Sequence, residues 1–522
     1  VTAPAVGAGP SHPDLARVAS PSVARMAGAD RYATSVAASR AAFPSGSSPS
    51  VVYLVSGTSP WHSLSATPAA VHEGGGVLLT RADALPAVVS AELRRLRPGR
   101  VVLVGSTSVL STAVARQAKS IVPEVTRVGG EGRYQTAQAL VRHAFRTPVA
   151  HAWVATGRVW TDGVAAGSAA ASAREPLLTV DGSATALPAA PLDLLADLGV
   201  TSVTLVGGTS AVSAGIERQL TGFLGAGQVT RATGGDRYAV ARRVADLTHP
   251  NPAPGTSYVA TGRDFVNALA GGFLAGRTKR PLYYTLPYCV PATVRVRLAG
   301  SATTRVTLLG GEGSVRSLVG TLETCRSITS PSSEWVLANK HNPLRPKSYV
   351  PAGLVAPDVS NPGGGRLRKP AAAALARMFS AARKDGAGRM QVASPYRSYS
   401  TQYSVYWNRV RTHGRAYADR WIARPGYSEH QTGLSLDIAP VGSSSCGAHN
   451  CIGGTPQGNW LKRNAWRYGF VLRYEPGYTS VTGYNSEPWH YRYVGTALAK
   501  AYHAGSWHSL EQFLGEPAAP TY

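Results

Sequence analysis

Acidic residues, sulfur and long apolar runs are all scarce in this 522-residue chain. It has 28 Asp and Glu against 53 Lys and Arg, a formal net charge of +25. That imbalance turns the chain toward anionic partners: nucleic acid, acidic membranes or acidic wall polymers. Only 8 of the basic residues are lysine, and the basic residues gather in no tail, helix or finger, so nucleic acid is not expected. No run reaches about 18 apolar residues, so no transmembrane segment is expected. The chain opens Val1-Thr2-Ala3-Pro4, with no basic stretch leading into an apolar one, so a secretory leader is absent or already removed. Four cysteines fall as two local pairs, Cys289 with Cys325 and Cys446 with Cys451, and neither spacing is Cys-x-x-Cys. Two disulfides of an exported protein fit this usage; four reduced, buried thiols fit it too. Hydrophobic residues make up 44% of the chain, enough for folded domains, and its length implies two to four of them.

What the chain does contain is a long internal repeat. Arg25-Met26-Ala27-Gly28-Ala29-Asp30-Arg31-Tyr32 returns as Arg127-Val128-Gly129-Gly130-Glu131-Gly132-Arg133-Tyr134 and again as Arg231-Ala232-Thr233-Gly234-Gly235-Asp236-Arg237-Tyr238. The starts lie 127 − 25 = 102 and 231 − 127 = 104 residues apart, the size of a small domain. Within each unit come short apolar runs ending in Gly, such as Val52 to Gly57, Ala152 to Gly157 and Ser257 to Gly262. Later runs close at Gly105, Gly207 and Gly310. These read as strands buried on both faces, and helical patterns such as Ala91 to Leu96 and Ala189 to Leu195 lie between them. Parallel α/β modules follow. No unit has Gly-x-Gly-x-x-Gly opening a helix with an acid about 20 residues later, so a dinucleotide site is not expected.

The Gly-Gly-x-x-Arg-Tyr opening, the Ala-Thr-Gly strand end and the Val-Gly-Gly turn together resemble the type-2 cell-wall-binding repeat over residues 23–326. The resemblance implies three Rossmann-like modules packed with pseudo-three-fold symmetry inside a monomer. It also implies a secreted protein held on anionic polymers of a Gram-positive wall. The family's acid or amide after an aromatic is present in Trp160-Thr161-Asp162 and Phe265-Val266-Asn267. Repeat 1 departs from the pattern, with Trp61-His62-Ser63, and with Gly105-Ser106 in place of Gly-Gly. Arg31, Arg133 and Arg237 recur at one position. They suit phosphate or carboxylate groups of a wall polymer, or a structural role within or between modules.

Beyond a polar stretch at 327–334 the repeat ends and the vocabulary changes. Pro370 to Arg383 reads as an Ala-rich helix, Val392 to Ser400 as a strand entering a loop, Trp460 to Tyr468 as helical and Phe470 to Tyr474 as a strand. A compact α+β domain with few long helices is expected. In it His430 and Asp437 offer one nitrogen and one oxygen ligand, and His490 a second nitrogen. Three protein ligands leave zinc an open position, which distinguishes catalytic from structural sites. Glu487, three residues before His490, is placed to act as a general base.

Tyr396-Arg397-Ser398, Ser428 through Asp437 and Glu487-Pro488-Trp489-His490 resemble the VanY-type D-alanyl-D-alanine carboxypeptidases, which belong to the LAS zinc metallopeptidases. The resemblance assigns Zn2+ to His430, Asp437 and His490 and the base role to Glu487. It gives Arg397 oxyanion or substrate-carboxylate binding, with Ser428 and Gln402 in support. Pro395 stands where the family commonly has Gly, and Ser435 where Ala is usual. The expected domains are an N-terminal segment 1–22, repeats 23–126, 127–230 and 231–326, linker 327–334, peptidase 335–510 and tail 511–522. The expected activity is removal of the terminal D-Ala from peptidoglycan stem peptides. The alternatives are an autolysin- or endolysin-like endopeptidase and a non-catalytic wall-binding protein.

Overall fold

The computed structural model describes residues 21–300, 302–442 and 452–522. They form two units. The first runs to Leu286 and resumes over Pro291–Val315; the second comprises Pro287–Val290 and Arg316–Tyr522.

The first unit carries strands β1 (Ser22–Met26), β2 (Val51–Ser56), β3 (Gly76–Thr80), β4 (Arg100–Val104), β5 (Val125–Val128) and β6 (His151–Thr156). They continue as β7 (Leu177–Val180), β8 (Ser202–Val206), β9 (Val229–Ala232), β10 (Gly255–Thr261), β11 (Leu282–Thr285) and β12 (Thr303–Leu309). Three four-stranded parallel sheets result, in the orders β3-β2-β4-β5, β7-β6-β8-β9 and β1-β12-β10-β11. Val51 to Val55 are fully buried, as a strand covered by helices on both faces requires. Helices Ala66–His72, Trp160–Ala173 and Phe265–Thr278 pack pairwise against one another. Small residues permit the close approach: a Cβ on Gly276 would lie 2.5 Å from that of Ala171.

Sheets and sequence repeats are out of phase. The opening strand of repeat 2, β5, pairs with β4; that of repeat 3, β9, pairs with β8; and β1 pairs with β12, so the exchange returns to its start. The boundaries expected at 126/127 and 230/231 therefore fall inside strands. The reason is visible in the first residue of each repeat motif. Arg25, Arg127 and Arg231 sit opposite Leu308, Leu103 and Leu205. Each donates to the carbonyl of the glycine ending the neighbouring strand: Arg25 to Gly310 at 2.7 Å, Arg127 to Gly105 at 2.9 Å and Arg231 to Gly207 at 2.9 Å. Those glycines have φ near +100°, which a side chain would strain.

The second unit contains a two-residue ladder, β13 (Leu354–Val355) with β14 (Leu367–Arg368), and an antiparallel sheet. The sheet consists of β15 (Met390–Ser394), β16 (Ser435–Pro440), β17 (Phe470–Leu472) and β18 (His490–Tyr493) in the order β15-β16-β18-β17. Side chains alternate across it. Leu436, Ile438, Tyr491 and Tyr493 join helix Lys369–Lys384 in an apolar core that includes Leu375 and Met378. Ser435, Asp437, His490 and Arg492 therefore take the other face. Helix Tyr399–His413, 15 residues long, was not expected from the sequence.

The domain boundaries expected in this part of the chain also move. The residues expected as a linker, 327–334, lie in this unit as turns, and Leu337 donates to Ile328 at 2.8 Å. Residues 511–522 are not a separate tail, because Glu511 is fully buried and Ala519 has no exposed surface. Cys289 and Cys325 are joined as a disulfide within this unit. The expected pair Cys446 and Cys451 lies outside the described residues.

Arg127→Ala removes a charged donor from the carbonyls of both Gly105 and Ser106. We expect a loss of about 1–2 kcal/mol from the stability of the first unit, measured as a lowered denaturation midpoint. An unchanged midpoint would show that the arginine clamp does not hold the exchanged strand.

Candidate metal centre

Asp437 and His490 are direct partners in the β16–β18 ladder, with Ser435 opposite Arg492 one step along the same face. His430 comes from the turn Glu429–Thr432 that leads into β16. The result is a tight donor set: the ligand atoms of His430, Asp437 and His490 all lie within 4.8 Å of one another. Asp437 Oδ1 is 3.5 Å from His430 Nε2 and 3.2 Å from His490 Nδ1. That oxygen is buried and has no hydrogen-bond partner among the described residues. A lone oxygen facing two imidazole nitrogens leaves buried polar atoms unsatisfied unless a cation joins them, so these residues fit a metal ion.

His430 is held by a backbone acceptor, the way metal-ligating histidines are ordinarily oriented, whereas His490 faces a carboxylate beyond hydrogen-bond distance. His430 donates from Nδ1 to the Pro395 carbonyl at 2.8 Å, leaving Nε2 for the donor set. Pro395 thus serves through the one backbone polar group a proline retains. Its ring is accommodated because residue 365 is glycine: a Cβ there would lie 2.0 Å from Pro395 Cγ. His490 is oriented the opposite way. Its Nε2 lies 3.7 Å from Glu429 Oε2, and Nδ1 faces Asp437.

Glu429 is the important residue that sequence reasoning passed over. Its side chain is fully buried and accepts from Arg473 Nε at 2.9 Å, Arg492 at 3.0 Å and the Ser435 hydroxyl at 3.2 Å. Ser435, the departure from the family pattern, therefore supplies Glu429 with a third donor. Arg473 in turn forks onto Glu511 at 3.0 and 2.7 Å, and Asn339 donates to Glu511 at 3.1 Å. Two carboxylates and two guanidiniums balance within the buried network, as buried charge requires. The available signal was a pair of arginines, Arg473 and Arg492, in otherwise apolar strand sequence.

Glu487 completes the cluster. The His490 amide donates to the Glu487 carbonyl at 3.0 Å, closing a tight turn that brings both side chains to one cavity. Glu487 Oε2 lies 3.7 Å from His490 Nδ1. Arg397 donates to Gln402 at 3.2 Å and to Ser394 at 3.3 Å, with Asp437 Oδ2 3.9 Å away. Buried Gln402 is itself fixed by donating to the Ala423 carbonyl at 2.7 Å. All seven residues expected at the site, namely His430, Asp437, His490, Glu487, Arg397, Gln402 and Ser428, line one cavity of about 170 Å³. Arg31, Arg133 and Arg237 lie in the first unit. There each donates to the glycine carbonyl that follows its own module's strand, Gly57, Gly157 and Gly262, at 2.6 to 2.8 Å.

Burial sets the electrostatics. It pushes the Glu487 carboxyl from an ordinary 4.5 up to about 8, against the pull of His490. Burial and then Arg397 lower His430 to about 4. Burial opposes charge on His490 also, but Asp437 and Glu429 outweigh it and raise that ring to about 9. Asp437 and Glu429 are held below the usual carboxylate range despite burial, by the two histidines and by Arg473 with Arg492, respectively.

Two imidazoles and a carboxylate around an open position, with a second carboxylate beside them, are what a metal-dependent hydrolase needs. Comparison with known proteins agrees. Residues 25–115, 127–217 and 231–319 match cell wall binding domain 2, and the chain belongs to that family; residues 364–496 match VanY, D-alanyl-D-alanine carboxypeptidase, as a domain toward the C-terminus. YodJ of Bacillus subtilis (strain 168) is 41% identical over 179 residues, which cover 33% of this chain and 64% of that protein. The D-alanyl-D-alanine carboxypeptidase of Enterococcus faecalis (strain ATCC 700802 / V583) is 37% identical over 193 residues, 35% of this chain and 66% of that one. The chain thus spans a little under two thirds of the length of these relatives. Cwp6 from Clostridium difficile is similar in fold, with a TM-score of 0.54 at 23% identity over 74% of this chain and 61% of its own.

Two outcomes follow. Glu429→Gln strands Arg473 and Arg492 and loosens His490. It should cost about 3–5 kcal/mol of stability and weaken metal affinity about 10- to 100-fold, read by thermal denaturation and by competition with a chromophoric chelator. Glu487 titrates higher when folded than when unfolded, so its proton is lost at lower pH from the unfolded chain. Metal-free protein should therefore match its Glu487→Gln variant below pH 4.5 and fall behind it as pH rises toward 8. Parallel stability–pH curves would contradict the assignment.

Proposed function

We propose that this chain is a secreted, wall-held zinc D-alanyl-D-alanine carboxypeptidase that removes the terminal D-Ala of peptidoglycan stem peptides. The observation that carries the proposal is the buried Asp437 oxygen set between two imidazoles, with Glu487 and Arg397 opening on the same cavity. Two nitrogens and one oxygen are a donor set suited to zinc, held by His430 Nε2, Asp437 and His490 Nδ1. A divalent ion there supplies Lewis acidity, polarising the scissile carbonyl and acidifying water.

The chain's own groups do the rest. Glu487, on the same cavity wall and 3.7 Å from His490 Nδ1, takes as its carboxylate a proton from the water whose oxygen adds to the scissile carbonyl carbon. When the C–N bond breaks, Glu487 returns that proton to the departing amine, so the carboxylate is regenerated. Arg397, braced by Gln402 and Ser394, presents guanidinium N–H groups to the oxyanion or to the free carboxylate of the terminal D-Ala. Ser428 is buried at the cavity wall and shapes the peptide's seat.

The cell-wall-binding repeats serve to localise this chemistry. Their shared strand order and cyclic strand exchange support a pseudo-three-fold arrangement of Rossmann-like modules completed within one chain, and hence a monomer. The +25 charge favours anionic polymers of a Gram-positive wall. Arg31, Arg133 and Arg237 commit one nitrogen each to backbone and keep further donors that suit phosphate or carboxylate groups.

Mass spectrometry of a muramyl pentapeptide ending in D-Ala-D-Ala tests the reaction. Zinc-loaded protein should release one alanine. Glu487→Ala should lower the rate at least about 100-fold, and a chelator should abolish it. An intact pentapeptide would contradict the proposal, and cleavage of cross-linked fragments alone would make the enzyme an endopeptidase.

A further inference from the structure

The wall of the catalytic cavity contains a cation that neither metal binding nor the reaction uses. Gln402, Val405 and Arg409 line the cavity from helix Tyr399–His413, at the i, i+3, i+7 spacing that places them on one face. Tyr417 and Trp421 line it from the next helix, Arg415–Trp421, with ring centroids 6.4 Å apart. Arg397, Arg473 and Arg492 are all engaged by side chains. The guanidinium of Arg409 has no hydrogen-bond, ion-pair or ring partner among the described residues, and the side chain is partly exposed to the cavity. An arginine in a cleft with its planar fork unused is equipped to take a carboxylate.

Its position along the helix indicates where on the substrate that carboxylate lies. Gln402 holds Arg397 at the reacting end. Arg409 is seven residues further on, about 10 Å along the axis at ~1.5 Å per residue. An extended peptide covers that distance in about three residues at ~3.3 Å each. A carboxypeptidase has only one residue beyond the scissile bond, so the remaining length runs toward the interior of the stem peptide.

We propose that Arg409, on the cavity wall that also carries Tyr417 and Trp421, is a specificity subsite for a carboxylate on the third residue from the substrate's free end. Stem peptides bearing an acidic group there are preferred over those bearing an ammonium. The inference rests on the carboxypeptidase reading for the direction of the peptide, but its test does not depend on turnover. Tyr417 and Trp421 give the same cavity wall aromatic surface for the side chain's alkyl part, leaving its charged tip to the guanidinium.

Two pentapeptides ending in D-Ala-D-Ala, identical except for glutamate or lysine third from the end, are titrated calorimetrically into full-length Glu487→Gln protein. They are also assayed for cleavage by the wild type. The glutamate peptide should bind about five- to tenfold tighter, the scale of one partly exposed charge pair. Arg409→Gln should shrink that ratio to about one, and Arg409→Glu should invert it. Arg409 has no partner to strand, so both variants should fold. Equal binding of the two peptides, or a preference that survives Arg409→Gln, overturns the subsite. A preference that follows residue 409 while the wild type cleaves neither peptide upholds the subsite and sinks the carboxypeptidase reading.

Discussion

Glu429 is a carboxylate with almost no access to water, and it can stay charged there only because Arg473, Arg492 and Ser435 donate to it together. The second unit is arranged around that requirement. Arg492 reaches Glu429 because it lies two residues from His490 on one face of β18, and Ser435 because it lies two residues from Asp437 on β16. Arg473 carries the network to Glu511, so a helix late in the chain is tied to the floor of the site. His490 then has one imidazole nitrogen beside Glu429 and the other free to face Asp437. The fold and the chemistry share a single electrostatic constraint.

The same face-and-register logic explains how much could be read from sequence. The His430–Asp437 and Glu487–His490 spacings were legible because the residue types are unusual and the distances short. The buried strands of the modules were legible because both faces are apolar. Glu429 was not, since an acid beside a ligand histidine looks the same in sequence whether it is solvated or buried; only the three-dimensional arrival of two arginines tells the difference. Helix Tyr399–His413 was missed because its aromatic and β-branched residues dilute the apolar period, and it carries both Gln402 and Arg409. Repeat starts and sheet edges differ for a physical reason. A sequence motif marks where similarity begins, whereas a sheet is closed by whichever strand supplies its edge.

In the first unit arginine does for backbone what it does for carboxylates in the second. Arg25, Arg127 and Arg231 bind glycine carbonyls where strands end across repeat boundaries, and Arg31, Arg133 and Arg237 do so within each repeat. Strand ends in parallel sheets expose carbonyls in a row, and a long cationic side chain satisfies them without a further element. Part of the chain's high arginine content is thus structural. The remainder contributes to the formal net charge of +25.

The most direct test is the metal content of purified, dialysed protein, compared between the wild type and His490→Ala. The donor geometry predicts about one zinc per wild-type chain and its loss from the variant. A wild-type protein that takes up no zinc, or a His490→Ala protein that retains it fully, would contradict the assignment of His430, Asp437 and His490 as a metal centre.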